Sequence, residues 1–351
     1  MQEINILEAK LLSKWVGKLP SEILDDVVLS KVNSYKRPST LVGAEIGEDS
    51  ALIDLGFCVL SVHSDPITEA RFHAGSLAVD VATNDLAVTG VRPKWLILDM
   101  LMPEGSLYSS LNSIVESAVN EAKRLNVEIV GGHTESTPGL ISPIIVGTAI
   151  GCSCKDCFYP TRNAKEGDLI YQINPAGLEG SAIIATDFRD IALKKGLPND
   201  ILERASDFIK RISIVNEALE VSERKLVNSL HDPTEGGMLG GLYEIAYASK
   251  HNIRIDLDKI FVEEETKIIS QKLKIDYTKL ISSGTIIVTV PPSNKNEIER
   301  VLDSIKVKYE IIGRVLNPDD KPKVNLYKNN SLVSNLNSPP QDEISKLWVM
   351  K

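Results

Sequence analysis

Apolar positions along the chain follow two periods, and the switches between them mark its elements. Residues 6–16 carry apolar side chains three and four apart, which predicts an amphipathic helix, with a short second helix after it. The stretch VNSYKRPSTLVGAEIGEDS then breaks the pattern. Its turn formers, with Gly43 and Gly47, predict a mobile loop able to cover a ligand. Residues 51–62 hold two apolar runs around an Asp-Leu-Gly turn and read as a hairpin. Leu77, Val81 and Leu86 are helically spaced within residues 74–89, and Gly90 supplies the stop. A strand over 95–101, an amphipathic helix over 109–125, a buried strand over 127–130 ending in Gly131-Gly132, and a strand over 143–150 follow.

Residues 151–167, with three cysteines and small polar residues, read as a linker, so the predicted domains are 1–155 and 156–351. Beyond it the pattern restarts. A strand over 168–173 meets a turn at Gly177 and Gly180, with helix from Ser181 and a longer helix over about 200–220. A strand over 226–230 runs into HDPTEGGMLGGLYEIA. Further strands are predicted over 253–257, 285–290 and 309–315, with a helix between the last two. The last twenty-odd residues are polar and proline-containing and read as a loose cap. Strands interleaved with helices give a mixed α/β and α+β chain of two domains.

Composition narrows the function. The 351 residues carry 48 Asp+Glu against 39 Lys+Arg, a net charge of −9, which argues against a nucleic-acid binder. No apolar run approaches the roughly 18–20 residues of a membrane span, and the N-terminus lacks a signal-like apolar core, so the expected compartment is the cytoplasm.

Three carboxylates stand apart. Asp49 ends the predicted loop, Asp65 ends the partner strand of the hairpin, and Asp85 follows Asn84 on an apolar helix. Isolated aspartates are ordinarily turn or capping residues. Converging ones repel unless a cation joins them, and oxygen ligands of this kind suit Mg²⁺ with substrate phosphates. Two double glycines form a second set. Gly131-Gly132 follows a strand, and Gly236-Gly237 opens a helix where backbone N–H groups favour an anion. Each alone is also compatible with a tight turn or close packing.

In this order the segments resemble the aminoimidazole ribonucleotide (AIR) synthase-like superfamily of ATP-binding proteins. GEDSALI is similar to its G-D-D-A-A loop, SVHSDPIT to its T-T-D segment, and NDLAVTGVRP to its N-D-L-A-x-x-G-A-x-P helix end. GGHTESTPG resembles the GGET..MPG segment of AIR synthase, and HDPTEGG the D-P-T-R-G-G segment of the hydrogenase-maturation (HypE) branch. The resemblance implies an N-terminal domain whose strands form a barrel shared across a homodimer, and an α+β C-terminal domain. It implies ATP and Mg²⁺ as cofactors, with Asp49, Asp65 and Asp85 as metal ligands. Gly47, Asn84, Gly131, Gly132 and Thr134 would shape the nucleotide site, and Gly236 and Gly237 a second anion-accepting turn. The implied chemistry is activation of an acceptor oxygen by the γ-phosphoryl group of ATP, with a small-molecule or protein-bound carboxamide as acceptor and a maturation partner protein. Asp85, His133 and His231 are the catalytic candidates, although histidines near turns are more often structural.

Departures keep other readings open. The HypE pattern ends in a cysteine, whereas this sequence ends KLWVMK and its last cysteine is Cys157. His133 replaces an acidic residue, and Glu235 an arginine. AIR synthase-type ring closure and a nucleotide-binding scaffold with reduced catalysis are therefore the alternatives. Cys152, Cys154 and Cys157 read as linker thiols, as a disulfide, or as metal ligands completed by Cys58 or His133.

Overall fold

The computed structural model describes residue 19, residues 21–68 and residues 70–348. The helix predicted over 6–16 lies outside the described residues. Among the described residues, no helix is long and apolar enough to cross a membrane.

The first half is built on β1 (Thr40–Val42), β2 (Ala51–Asp54), β3 (Val59–Ile67), β4 (Pro93–Pro103), β5 (Glu128–Gly131), β6 (Thr134–Thr137) and β7 (Ile144–Ser153). They lie in the order β1-β2-β3-β7-β4-β5, and β6 also pairs with β4. All pairs are antiparallel except β4 with β5 and β6. The sheet is open in the single chain. The helix Ala74–Val88 crosses one face, with every residue except Ser76 buried. Small residues let it sit close: a Cβ on Gly147 would meet the Ala78 carbonyl oxygen at 2.3 Å. On its far side packs the amphipathic helix Tyr108–Arg124.

The second sheet comprises β8 (Leu169–Ile173), β9 (Ser229–His231), β10 (His251–Asp256), β11 (Ile286–Val290), β12 (Tyr309–Pro318), β13 (Val324–Lys328) and β14 (Ser331–Leu336), in the order β14-β13-β10-β12-β8-β11-β9. Alternation decides its two faces. Tyr171, Ile173 and Val288 pack under the helices Val215–Glu223 and Lys295–Ser304, while Ile170, Ile287 and Ile255 pack under Gly237–Ser249. The helix Leu178–Thr186 joins a core shared with the first half, which holds Leu77 and Val81 together with Ile183 and Leu280.

Three predicted elements differ. β5 is mostly exposed instead of buried, because it lies at the sheet edge. The helix expected over 200–220 is two helices, Asn199–Ser206 and Val215–Glu223, parted by a tighter turn at Asp207–Arg211. The C-terminal stretch is no loose cap. It forms the β13–β14 hairpin and returns across the junction of the two halves, where Trp348 packs edge-on against Phe188.

Candidate functional site

The junction encloses a cavity of about 620 Å³. One wall is set by β3 and the Ala74–Val88 helix. Asp65 and His63 project from alternate positions of β3 toward Asp85 on the helix, and ligand atoms of all three lie within 4.8 Å of one another. His63 Nε2 stands 3.1 Å from Asp85 Oδ2.

Asp49 lines the same cavity but has other partners. Its Oδ2 accepts from the Thr161 hydroxyl at 2.9 Å, and its Oδ1 lies 2.8 Å from His231 Nδ1. The opposite ring nitrogen, Nε2, lies 3.1 Å from Glu244 Oε2. Burial alone would lower the His231 pKa, but the two flanking carboxylates override it and raise it to about 10. The imidazole is therefore a buried cation clamped between the halves. Beside it, Glu48 accepts from the Thr161 and Arg162 backbone N–H groups at 3.0 and 3.3 Å. Burial, reinforced by the Asp49 charge, pushes the Glu48 carboxyl up to about 7.

Asn84 does not line the cavity. Its Nδ2 donates to the Ile212 carbonyl at 3.0 Å and its Oδ1 accepts from the Ile214 N–H at 2.9 Å, stapling the helix to the second half. Asp232 does line the cavity. It is 2% exposed, and neither carboxylate oxygen has a hydrogen-bond partner of full geometry among the described residues. Burial, then the Asp49 charge, holds its pKa well above the usual carboxylate range, against smaller opposing pulls from His231 and the Asn84 amide.

The glycines divide. Gly47, at φ +85°, faces the Glu244 carbonyl, which a Cβ would meet at 2.6 Å. Gly236 and Gly237 have left-handed φ angles, and a side-chain carboxyl already occupies the turn: the Gly236 N–H donates to Asp342 Oδ2 at 2.7 Å. Burial pushes Asp342 up to about 7. Gly131, Gly132, His133 and Thr134 do not line the cavity. Gly132 instead presses on β4, where a Cβ would meet the Leu98 oxygen at 2.0 Å. The His133 side chain is 65% exposed and pairs with Glu135 at 3.1 Å. In the single chain these four residues belong to the sheet edge.

Sequence reasoning gave no role to Asp232, Glu48 or Glu244. Asp232 sits inside the HDPTEGG segment, and Glu244 is the one carboxylate on an apolar, glycine-rich helix. A charge kept on a buried helix needs a partner, and that was the available signal.

The site is one of likeness as well as geometry. Residues 47–153 match the N-terminal domain of AIR synthase related proteins, and residues 165–324 match the C-terminal domain. A Methanocaldococcus jannaschii protein named for hydrogenase expression and formation is 29% identical over 303 residues, covering 83% of this chain and 84% of its own. The carbamoyl dehydratase HypE of Escherichia coli is 23% identical over 270 residues, covering 74% and 76%. A crystal structure of the hydrogenase maturation protein HypE in complex with ATP superposes with a TM-score of 0.65 at 23% identity, covering 91% of this chain and 95% of that one. With both of its domains matched in order and the two-domain fold in common, the chain belongs to the AIR synthase related family.

Proposed function

We propose that this protein is an ATP-dependent enzyme of the HypE-like branch, which binds ATP with Mg²⁺ at the junction and activates a carboxamide or related acceptor oxygen by phosphoryl transfer. The observation that carries this reading is the carboxylate set lining the cavity. Asp65 and Asp85 converge with His63 from one half, and Asp232, with neither oxygen fully hydrogen-bonded, lines the same cavity from the other. Such oxygen ligands fit Mg²⁺, which when bound would offset the charge of the nucleotide phosphates. Asp65, Asp85 and Asp232 would hold it, with His63 beside them, while Asp49 acts through His231. The Asp49–His231–Glu244 chain fixes the loop carrying Gly47 and Glu48 against the second half and keeps a positive charge under the cavity. Its location suits orientation of a phosphorylated or carboxamide group.

The name of the E. coli relative, carbamoyl dehydratase, supports the acceptor class, and a crystal structure of a HypE–HypF complex, similar in fold with a TM-score of 0.69 at 23% identity, supports a maturation partner protein. A homodimer is supported by the uncovered face of the first sheet, where Val62, Ile150 and Trp95 align across three strands opposite the Ala74–Val88 helix. Glu235, which lines the cavity where the HypE pattern has an arginine, favours the scaffold as a second reading. The test is ATP binding and hydrolysis with Mg²⁺, in wild type and Asp85→Ala, with the nucleotide product identified. Mg²⁺-dependent turnover lost in Asp85→Ala supports the enzyme. Binding without turnover across carboxamide acceptors supports the scaffold, and no nucleotide binding removes both.

A further inference from the structure

All four cysteines of the chain stand at one end of the first sheet, and the function proposed above uses none of them. Cys152 lies on β7 opposite Leu60 of β3. Val59 pairs with Ser153 as the last pair of the two strands, and Cys58 and Cys154 are the residues next beyond that pair. Cys58, Cys152 and Cys154 are therefore gathered at this end of the sheet. Cys58 and Cys152 are close neighbours: burial, then the Cys152 thiol, push the Cys58 thiol up in pKa. The chain then turns tightly, with the Cys157 N–H donating to the Cys154 carbonyl at 3.2 Å, and folds Cys157 back onto Cys154, to which it is disulfide-bonded. The Lys94 ammonium donates to Cys152 Sγ at 3.7 Å. His133, a fourth-ligand candidate from sequence, is excluded by position. Its carbonyl is bonded to Met100 near one end of β4, whereas the cysteines cluster beside Pro93 at the other.

The geometry points to a tetrathiolate site for a soft divalent metal, with Zn²⁺ as the ion that four cysteines select, formed by Cys58, Cys152, Cys154 and Cys157 once the Cys154–Cys157 disulfide is reduced. The neighbouring pair Cys58 and Cys152 would supply one side of a tetrahedron, and the C-x-x-C turn the other. The chemistry balances with a dithiol as reductant. It passes two electrons and two protons to the S–S bond, leaving two thiols on the protein and becoming a disulfide itself. Metal uptake then releases the four thiol protons to solvent. The resulting site carries two net negative charges, and the Lys94 ammonium is placed to offset part of them. Oxidation removes two ligands at once, so occupancy follows the thiol–disulfide state. The oxygen-rich cluster of Asp65 and Asp85 is a separate site of harder chemistry.

The test uses the full chain, reduced with a dithiol, desalted without air and titrated with Co²⁺. One equivalent should give thiolate-to-cobalt absorption in the near ultraviolet and tetrahedral bands in the visible, both displaced by Zn²⁺. The unreduced protein should lack these bands. Cys58→Ser should weaken Co²⁺ uptake at least tenfold, while Asp85→Asn should leave the thiolate bands unchanged. Absence of thiolate bands in the reduced wild type overturns the site without recourse to any variant. Bands of equal strength before reduction, or bands unchanged in a folded Cys58→Ser protein, also overturn it.

Discussion

Replacing Asn84 should loosen the whole junction, and the structure says by how much. Its side-chain amide is fully buried and makes two hydrogen bonds to backbone groups of the second half. Asn84→Ala leaves the Ile214 N–H and the Ile212 carbonyl without partners in a space that alanine does not fill. A buried polar group left unpaired costs about 1–3 kcal/mol, so the pair should cost about 2–6 kcal/mol. With about 2.1 cal/mol/K of unfolding entropy per residue, the melting temperature should fall by roughly 3–8 °C for a chain of this length. Asn84→Asp keeps the acceptor but turns a carboxylate toward the Ile212 carbonyl, beside Asp85, and should fall at least as far. Thermal unfolding followed by circular dichroism measures both. An Asn84→Ala protein melting within about 1 °C of wild type would refute the staple, since the penalty for two unpaired buried groups cannot hide within that margin.

Other residues give further tests. Asp232→Asn removes a buried carboxylate that lacks a full hydrogen bond; it should raise stability without divalent cation by about 1–3 kcal/mol while abolishing any stabilisation by Mg²⁺, and urea midpoints that do not rise would count against the assignment. Asp342 has a folded pKa raised from 3.8 to about 7. Its contribution to stability is therefore complete below pH 3.8 and is lost as the pH rises through 7, so Asp342→Asn should flatten the stability profile across that window. A profile as steep as wild type would assign the slope to another group. Ile150→Lys, on the uncovered sheet face, should convert a dimer to a monomer in sedimentation experiments, and an unchanged sedimentation coefficient would move the interface elsewhere.

The elements that sequence made legible are those whose apolar spacing has one explanation. The Ala74–Val88 helix, the β2–β3 hairpin and β7 fall where the pattern places them because each buries a defined face. β5 was misread because apolar letters report β-propensity, and no letter reports that a strand is last in its sheet. The break near residues 207–214 is imposed from outside, where the chain must bring Ile212 and Ile214 to Asn84. The β13–β14 hairpin did leave a signal: Asn329-Asn330, both at positive φ, between two alternating runs. At the site, Asp49 and Asp65 stood out by their positions beside turns, and Asp85 as a charge on an apolar helix. Their division into a His63–Asp65–Asp85 cluster and an Asp49–His231–Glu244 chain depends on which half each partner comes from, which spacing along one strand does not encode.

The cavity is a product of docking, and Gly47 shows how closely its chemistry is tied to that contact. The Asp49–His231, Thr161–Asp49 and Thr161–Glu48 contacts all bring the Gly47 loop to residues beyond the first sheet, and Gly47 is where that loop meets the Gly237–Ser249 helix. At φ +85°, alanine carries a left-handed penalty of about 1–2 kcal/mol, and its Cβ would also stand 2.6 Å from the Glu244 oxygen. The loop can relieve both only by lifting from the helix, which draws Asp49 away from His231 and opens the side of the cavity. If the nucleotide requires the closed loop, about 1–2 kcal/mol reappears as roughly a 5–30-fold loss in affinity. Gly47→Ala should therefore weaken Mg²⁺–ATP binding in calorimetric titration by at least that factor, and should also lower the melting temperature, since the buried Asp49–His231 pair is parted. Binding within a factor of two of wild type would mean that the loop is no part of the closed site, and that the Asp49–His231 contact serves only to hold the two halves together.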